Sequence, residues 1–202
     1  GFVRLKAIAG VLVLFLAISL GFNVYYYLQV INSQNMINNI RSEIVLEWAN
    51  EMDVAAHYLE NASTNVDVAE EYGVRWFFLS AYHIMKVAYE QGDDREFYEP
   101  LTYAPLDVAG NLIPYEEDAQ AAPVVERRIS SGAIEMFGNL ADKIWNVTDL
   151  ISKEAQNLIN RDGVDLKRRL EEKGILDDVV DGCLDISYYS YKIAEFDPKF
   201  SP

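Results

Sequence analysis

The chain has 202 residues, with 17 Lys and Arg against 32 Asp and Glu for a net charge of −15, and one cysteine. Such an acidic surface argues against nucleic acid or anionic lipid as the main partner, because both require clustered cations. A lone cysteine closes no internal disulfide, so stability has to come from packing.

The charges are unevenly placed. Only Arg4 and Lys6 precede a stretch, residues 7–40, that holds no charge at all, and every acid lies beyond Arg41. The first 22 residues of that stretch, Ala7–Leu28, are almost wholly apolar. At about 1.5 Å per residue they make a rod of about 33 Å, enough to cross a hydrocarbon core of about 30 Å. The apolar run exceeds the roughly 7–15 residues of a signal-peptide core, so an uncleaved anchor is expected. Tyr25, Tyr26 and Tyr27 stand where an aromatic belt would meet the headgroups. Arg4 and Lys6 on the other flank should stay inside. The expected topology is a short cytoplasmic stub and anchor over residues 1–28, with an acidic domain, residues 29–202, outside the cell membrane. The opening Gly1 fits removal of an initiator Met or processing of the chain.

Beyond Leu28, apolar residues at Ile37, Ile40, Ile44, Trp48, Met52, Ala55 and Leu59 are three or four apart, one face of a helix. No Pro or Gly interrupts residues 23–59. One helix over about 3–61 is predicted. Asn32, Asn35, Asn38 and Asn39 read either as a polar interfacial collar or as an asparagine ladder between packed copies.

A turn at Ser63–Asp67 precedes a second helix, about 67–91, with Asp67 and Glu70 as its capping pair. Its apolar residues fall on most sides, which places it at the centre of a bundle. Residues 93–122 contain Pro100, Pro105 and Pro114 and are predicted as an irregular loop packed over the helices, with room for a short helix or a hairpin. Pro123 is a natural first helical position. A stripe from Val125 through Met136, Leu140, Ile144, Val147, Ile151 and Leu158 predicts a long helix ended by Asp162-Gly163. A short helix, about 164–173, ends at Gly174. The last, about 175–196, is predicted to bury Val180, Leu184, Ser187, Tyr191 and Ala194. The fold class is all-α: an N-terminal transmembrane helix continuing into an extracytoplasmic helical bundle.

The candidate chemistry is sparse. Di-iron bundles need Glu-x-x-His pairs, but the residues three before His57 and His83 are Val54 and Ser80. His83 is expected in the core, hydrogen-bonded. Asp177, Asp181 and Asp185 recur every four residues. One helix cannot wrap six to eight oxygens around a cation, so they read as a solvated acidic face. No GxSxG, CxxC, HExxH, GxGxxG or P-loop string occurs. No catalytic residue, cofactor or metal is assigned, and the expectation is a protein that is not an enzyme. Cys183 is expected buried and inert. Asn61-Ala-Ser63 and Asn146-Val-Thr148 are possible glycosylation sequons, although about one or two would arise by chance. The aromatics of the second helix (Tyr72, Trp76, Phe77, Phe78, Tyr82, Tyr89) and of the last (Tyr188, Tyr189, Tyr191, Phe196) read mainly as core, with any surplus available for contact.

These features suggest a structural or interaction subunit of a membrane or cell-surface assembly. Its partners would be the lipid bilayer and either its own copies or other surface proteins. A span followed by helices also resembles, in architecture alone, the input half of chemoreceptors and sensor kinases, which implies an extracytoplasmic ligand-binding sensor. That likeness departs at the C-terminal end, where no second span follows. The junction Gly1-Phe2 and the long, apolar-then-amphipathic first helix resemble type IV pilins, which implies a filament subunit. This likeness covers about 60 residues, and it departs at Lys6, where pilins carry Glu, and in a head that reads as helical rather than sheet.

Overall fold

A computed structural model describes residues 2–64, 74–90, 94–112, 131–159, 161 and 163–196. Among them are six helices and no strand: α1 (Phe2–Thr64), α2 (Val74–Glu90), α3 (Arg95–Leu112), α4 (Ser131–Ile159), α5 (Leu166–Lys173) and α6 (Leu176–Phe196). The side chains of residues 2–9, 62–64, 74–75 and 131–134 lie outside the description, as do the Asp67–Glu70 cap, Tyr72, Pro114 and the helix onset at Pro123.

α1 runs unbroken for 63 residues, about 95 Å at the helical rise. Its two parts have different surroundings. From Val11 to Leu28 its large apolar side chains are 47–70% exposed. From Val45 to Leu59, Val45, Trp48, Ala49, Met52, Ala55, Ala56 and Leu59 are buried. By length and composition the bare part is a helix that could cross a membrane.

The upper part of α1 packs against α4 and α2, α2 against α3, α3 against α6, and α6 against α4. Five helices thus close a ring, and α5 bridges α4, α6 and α1 at one end. The core inside comprises Trp48 and Met52 of α1, Phe78 and Met85 of α2, and Phe97, Tyr98 and Leu101 of α3. Leu140, Ile144 and Ile151 of α4 and Val179, Cys183 and Ile186 of α6 complete it. Burying each of these large side chains contributes about 1.5–3 kcal/mol.

Three sequence expectations need correction. The irregular loop predicted over 93–122 is helical from Arg95 to Leu112, across Pro100 and Pro105. Proline in a helix interior costs about 3 kcal/mol through a lost hydrogen bond and a clash. Against that, Phe97, Tyr98, Leu101, Ala104, Pro105, Val108, Ala109 and Leu112 are all buried on one face. Asp94 starts this helix, its carbonyl accepting from the N–H groups of Phe97 and Tyr98 at 3.1 Å each.

Secondly, α2 is not central. It touches chiefly α1 and α3 and leaves Trp76, His83 and Val87 exposed. His83 therefore lies at the surface, its ring 5.0 Å from that of Tyr82, rather than in the core.

Thirdly, the stripe predicted for α6 holds at Ala194, which is buried, but its inward face is centred one residue earlier. Val179, Cys183, Ile186, Ser190 and Ile193 face inward, while Leu184 and Tyr191 are each 52% exposed. α6 lies close against α4: a Cβ on Gly182 would run into Val147. Tyr188 and Phe196 are also exposed, so among the described aromatics of α2 and α6 only Phe78 is fully buried.

Candidate functional site

The feature that sets this molecule apart is the place where α1 passes from bare rod to packed helix. It is built from residues far apart in sequence. At Asn38 the exposed helix meets the turn between α4 and α5. Asn38 is 6% exposed, and its Nδ2 donates to the Gly163 carbonyl at 2.9 Å. Gln34 Nε2 donates to Asn38 Oδ1 at 3.3 Å, which holds the amide in orientation, and the Gly163 N–H donates to Asn39 Oδ1 at 3.4 Å. Gly163 has φ +81°, and a side chain there would collide with Asn35. Only glycine meets both demands.

One turn further on, Arg41 turns toward the start of α3. Its Nη1 lies 4.0 Å from Asp94 Oδ2, and Lys167 Nζ of α5 donates to Asp94 Oδ1 at 3.3 Å. All three side chains are 15–28% exposed. The hydrogen bond to Asp94 holds the Lys167 ammonium above its ordinary pKa. The Arg41 guanidinium stands 5.8 Å from the centroid of the Tyr98 ring. Burial pushes the Tyr98 phenol well above its ordinary value of 10.0, and the Arg41 charge only partly opposes this. Among the described residues, Tyr98 Oη, Ser42 Oγ and Trp48 Nε1 are buried without hydrogen-bond partners.

α5 is tied back to α4 by Arg169, whose Nε donates to Glu154 Oε2 at 3.2 Å, with Glu154 only 6% exposed. Asn38, Asn39, Arg41, Asp94, Lys167, Arg169 and Glu154 therefore link α1, α3, α4 and α5 at one end of the helical body. The arrangement ties the start of the packed part of α1 to three other helices; it brings together no nucleophile with a positioned base. Next to it, Asn146, Asp149, Leu150, Lys153, Glu154 and Ile175 line an open groove of about 490 Å³.

The residues singled out from sequence are dispersed. Arg4 and Lys6 lie on the first turns of α1, with side chains outside the description. Tyr25, Tyr26 and Tyr27 are exposed, and Tyr25 Oη accepts a hydrogen bond from Gln29 Nε2 at 3.1 Å. Asn61 is exposed in the last turns of α1. Asn146 is exposed in mid-helix, but Thr148 of its sequon is buried, and its hydroxyl donates to the Trp145 carbonyl at 3.3 Å. Asp177, Asp178, Asp181 and Asp185 lie at the surface, where Lys143 pairs with Asp185 at 2.7 Å. Cys183 is free and fully buried, and that burial pushes its thiol far above the ordinary value. Sequence reasoning missed the Arg41–Asp94–Lys167 cluster. Asp94 as the residue starting a helix was its one readable member, had α3 been recognised.

Comparison with protein-family models, with curated proteins and with solved structures found no match.

Proposed function

We propose that this chain is a single-pass membrane protein with Arg4 and Lys6 inside and an acidic helical bundle outside, working as a non-enzymatic structural or interaction subunit. One observation carries the reading. A single helix is bare and charge-free along the length a bilayer would cover, then becomes a core element of a bundle locked to it by a polar collar. A rod so fixed holds the bundle at a set height and angle above the surface. That rigidity suits an assembly subunit. The cation asymmetry supports this orientation: two before the span, and 15 cations with all 32 acids after Leu28, a net charge of −17.

The test is membrane fractionation with topology labelling. After alkaline carbonate washing, the protein should stay in the pellet. Cys183 is buried and silent, so a cysteine placed at exposed Asn157 should react with an impermeant maleimide on intact cells. Release into the wash, or labelling only after permeabilisation, overturns the reading.

A ligand-responsive bundle is a second reading, favoured by the groove along Asn146, Asp149 and Lys153. The groove includes Glu154, the partner of Arg169 on the collar helix α5. Amino acids, organic acids or divalent cations would then raise the melting temperature, and Lys153→Ala would abolish the shift for an anionic ligand.

A further inference from the structure

The neck between the apolar rod and the bundle has an uncovered side. Asn35, Asn38, Ser42 and Val45 turn toward the body, where Asn38, Ser42 and Val45 are buried. A different line of residues faces away: Val30 is 66% exposed, Ile37 41% and Ile40 46%, with Ser33 between them; Ile44, at the top of the line, already packs against the chain's own core. The steps 30, 33, 37, 40, 44 alternate three and four. This is the a/d spacing of a coiled-coil seam, with β-branched Val30, Ile37 and Ile44 at one position and Ser33 and Ile40 at the other.

The line continues a face that is covered higher up. Ile37 and Ala55 lie at the same angle around α1, and Ala55 is fully buried. Tyr58 stacks on Phe77 at 5.2 Å, which fixes the antiparallel offset of α1 and α2. α2 ends at Glu90, level with about residue 45 of α1. Below that height no described element covers the seam. The other flank is held by the Gly163 turn, so the uncovered side cannot rotate into the body.

We infer that a second copy of this chain packs in parallel along Val30, Ser33, Ile37 and Ile40. The inference rests on the membrane anchoring proposed above, and three observations select a second copy as the occupant. The seam lies at a fixed height above the span, so two anchored copies present identical positions face to face, as a twofold interface requires. Residues 7–40 carry no charge. The neck is therefore where two copies approach closely without repulsion, whereas their bundles carry like acidic charge. Small Ser33 permits close helix approach at the membrane surface. The four neck asparagines do not form the contact: Asn38 and Asn39 are engaged with Gly163 of their own chain.

Single cysteines at positions 30–40 of the full-length protein in native membranes, crosslinked by mild oxidation, test this. Ser33→Cys, Ile37→Cys and Ile40→Cys should give disulfide dimers at least fivefold above Asn32→Cys and Asn39→Cys, which face elsewhere. The exposed pair Ile37→Asp with Ile40→Asp should abolish dimers captured by a lysine- or carboxylate-directed crosslinker, with the thermal unfolding of the bundle unchanged. Uniform crosslinking across 30–40, or none while the protein remains in the membrane pellet, overturns the inference and leaves the anchoring reading intact. A protein found in the soluble fraction overturns both.

Discussion

Two parts of α1 are made of the same kinds of side chain and have opposite surroundings. Between Val11 and Leu28 the apolar residues cover every side and are bare. Between Val45 and Leu59 most of them share one broad buried face, with Val54 the exposed exception, while Glu47, Asn50 and Glu60 point outward. A helix apolar all round has to find a solvent that is apolar all round, and a one-sided helix needs only a partner. The neck between them is the instructive case. It is one-sided like the upper part, yet its apolar line at Ile37 and Ile40 is exposed like the lower part.

The sharpest way to break this comparison is to truncate one large side chain in each part. Trp48 is fully buried at the centre of the core. Trp48→Ala should cost about 3–5 kcal/mol, read as a lower urea midpoint in detergent micelles. Leu16→Ala, at a position 70% exposed, should leave that midpoint within about 0.5 kcal/mol. A large effect of Leu16→Ala would mean that the lower rod folds back on the body.

The collar that separates the two parts comes next. Gly163→Ala introduces a side chain at φ +81° and against Asn35. The left-handed conformation alone costs about 1–2 kcal/mol, and displaced Asn35 and Asn38 should raise the total to about 2–3 kcal/mol. Hydrogen exchange should quicken at residues 35–42 before it does in the core of α4. If the loss is spread evenly over the body, the collar is not a separate unit.

Much of this was legible in the chain. The unbroken α1, the stop at Gly163, the short helix ended by left-handed Gly174 and the last helix all follow from apolar period and glycine placement. α3 was hidden because Pro100 and Pro105 are local signals, while its offsetting burial depends on partners in α2 and α6. The period was nonetheless there to read: 97, 98, 101, 104, 105, 108, 109 and 112 are spaced as one helical face. The collar was hidden for another reason. Arg41, Asp94 and Lys167 meet only after three helices pack, and no local pattern joins them.

A pH titration sharpens the contrast between packed and bare parts, since both groups with strongly raised values belong to the packed part. Burial raises the Cys183 thiol above its ordinary 9.0 and the Tyr98 phenol above its ordinary 10.0. The unfolded chain releases these protons at the ordinary values, and the folded chain keeps them. Stability should therefore be flat with respect to these groups below pH 9. It should fall above that by up to about 1.4 kcal/mol per pH unit, with Tyr98 adding its share above pH 10. Cys183→Ala should remove the first limb and leave the second. A thiol that reacts with maleimide in the native protein at pH 8 would place Cys183 outside the core.

The last contrast concerns α6, which carries two apolar stripes side by side. The one predicted to be buried, through Leu184 and Tyr191, is outside, and the neighbouring Val179, Cys183 and Ile186 are inside. Period alone cannot choose between stripes one residue apart, since both repeat every three or four positions. The choice is made by fit: at Gly182 a side chain would run into Val147, so the Gly182 side of α6 can lie close against α4 where a bulkier side could not. Ile186→Ala should then cost about 2–5 kcal/mol, while Leu184→Ala should stay within about 0.5 kcal/mol. Equal losses at the two positions would mean that the Leu184 stripe is covered too, as the uncovered neck is proposed to be, by a surface outside the single chain.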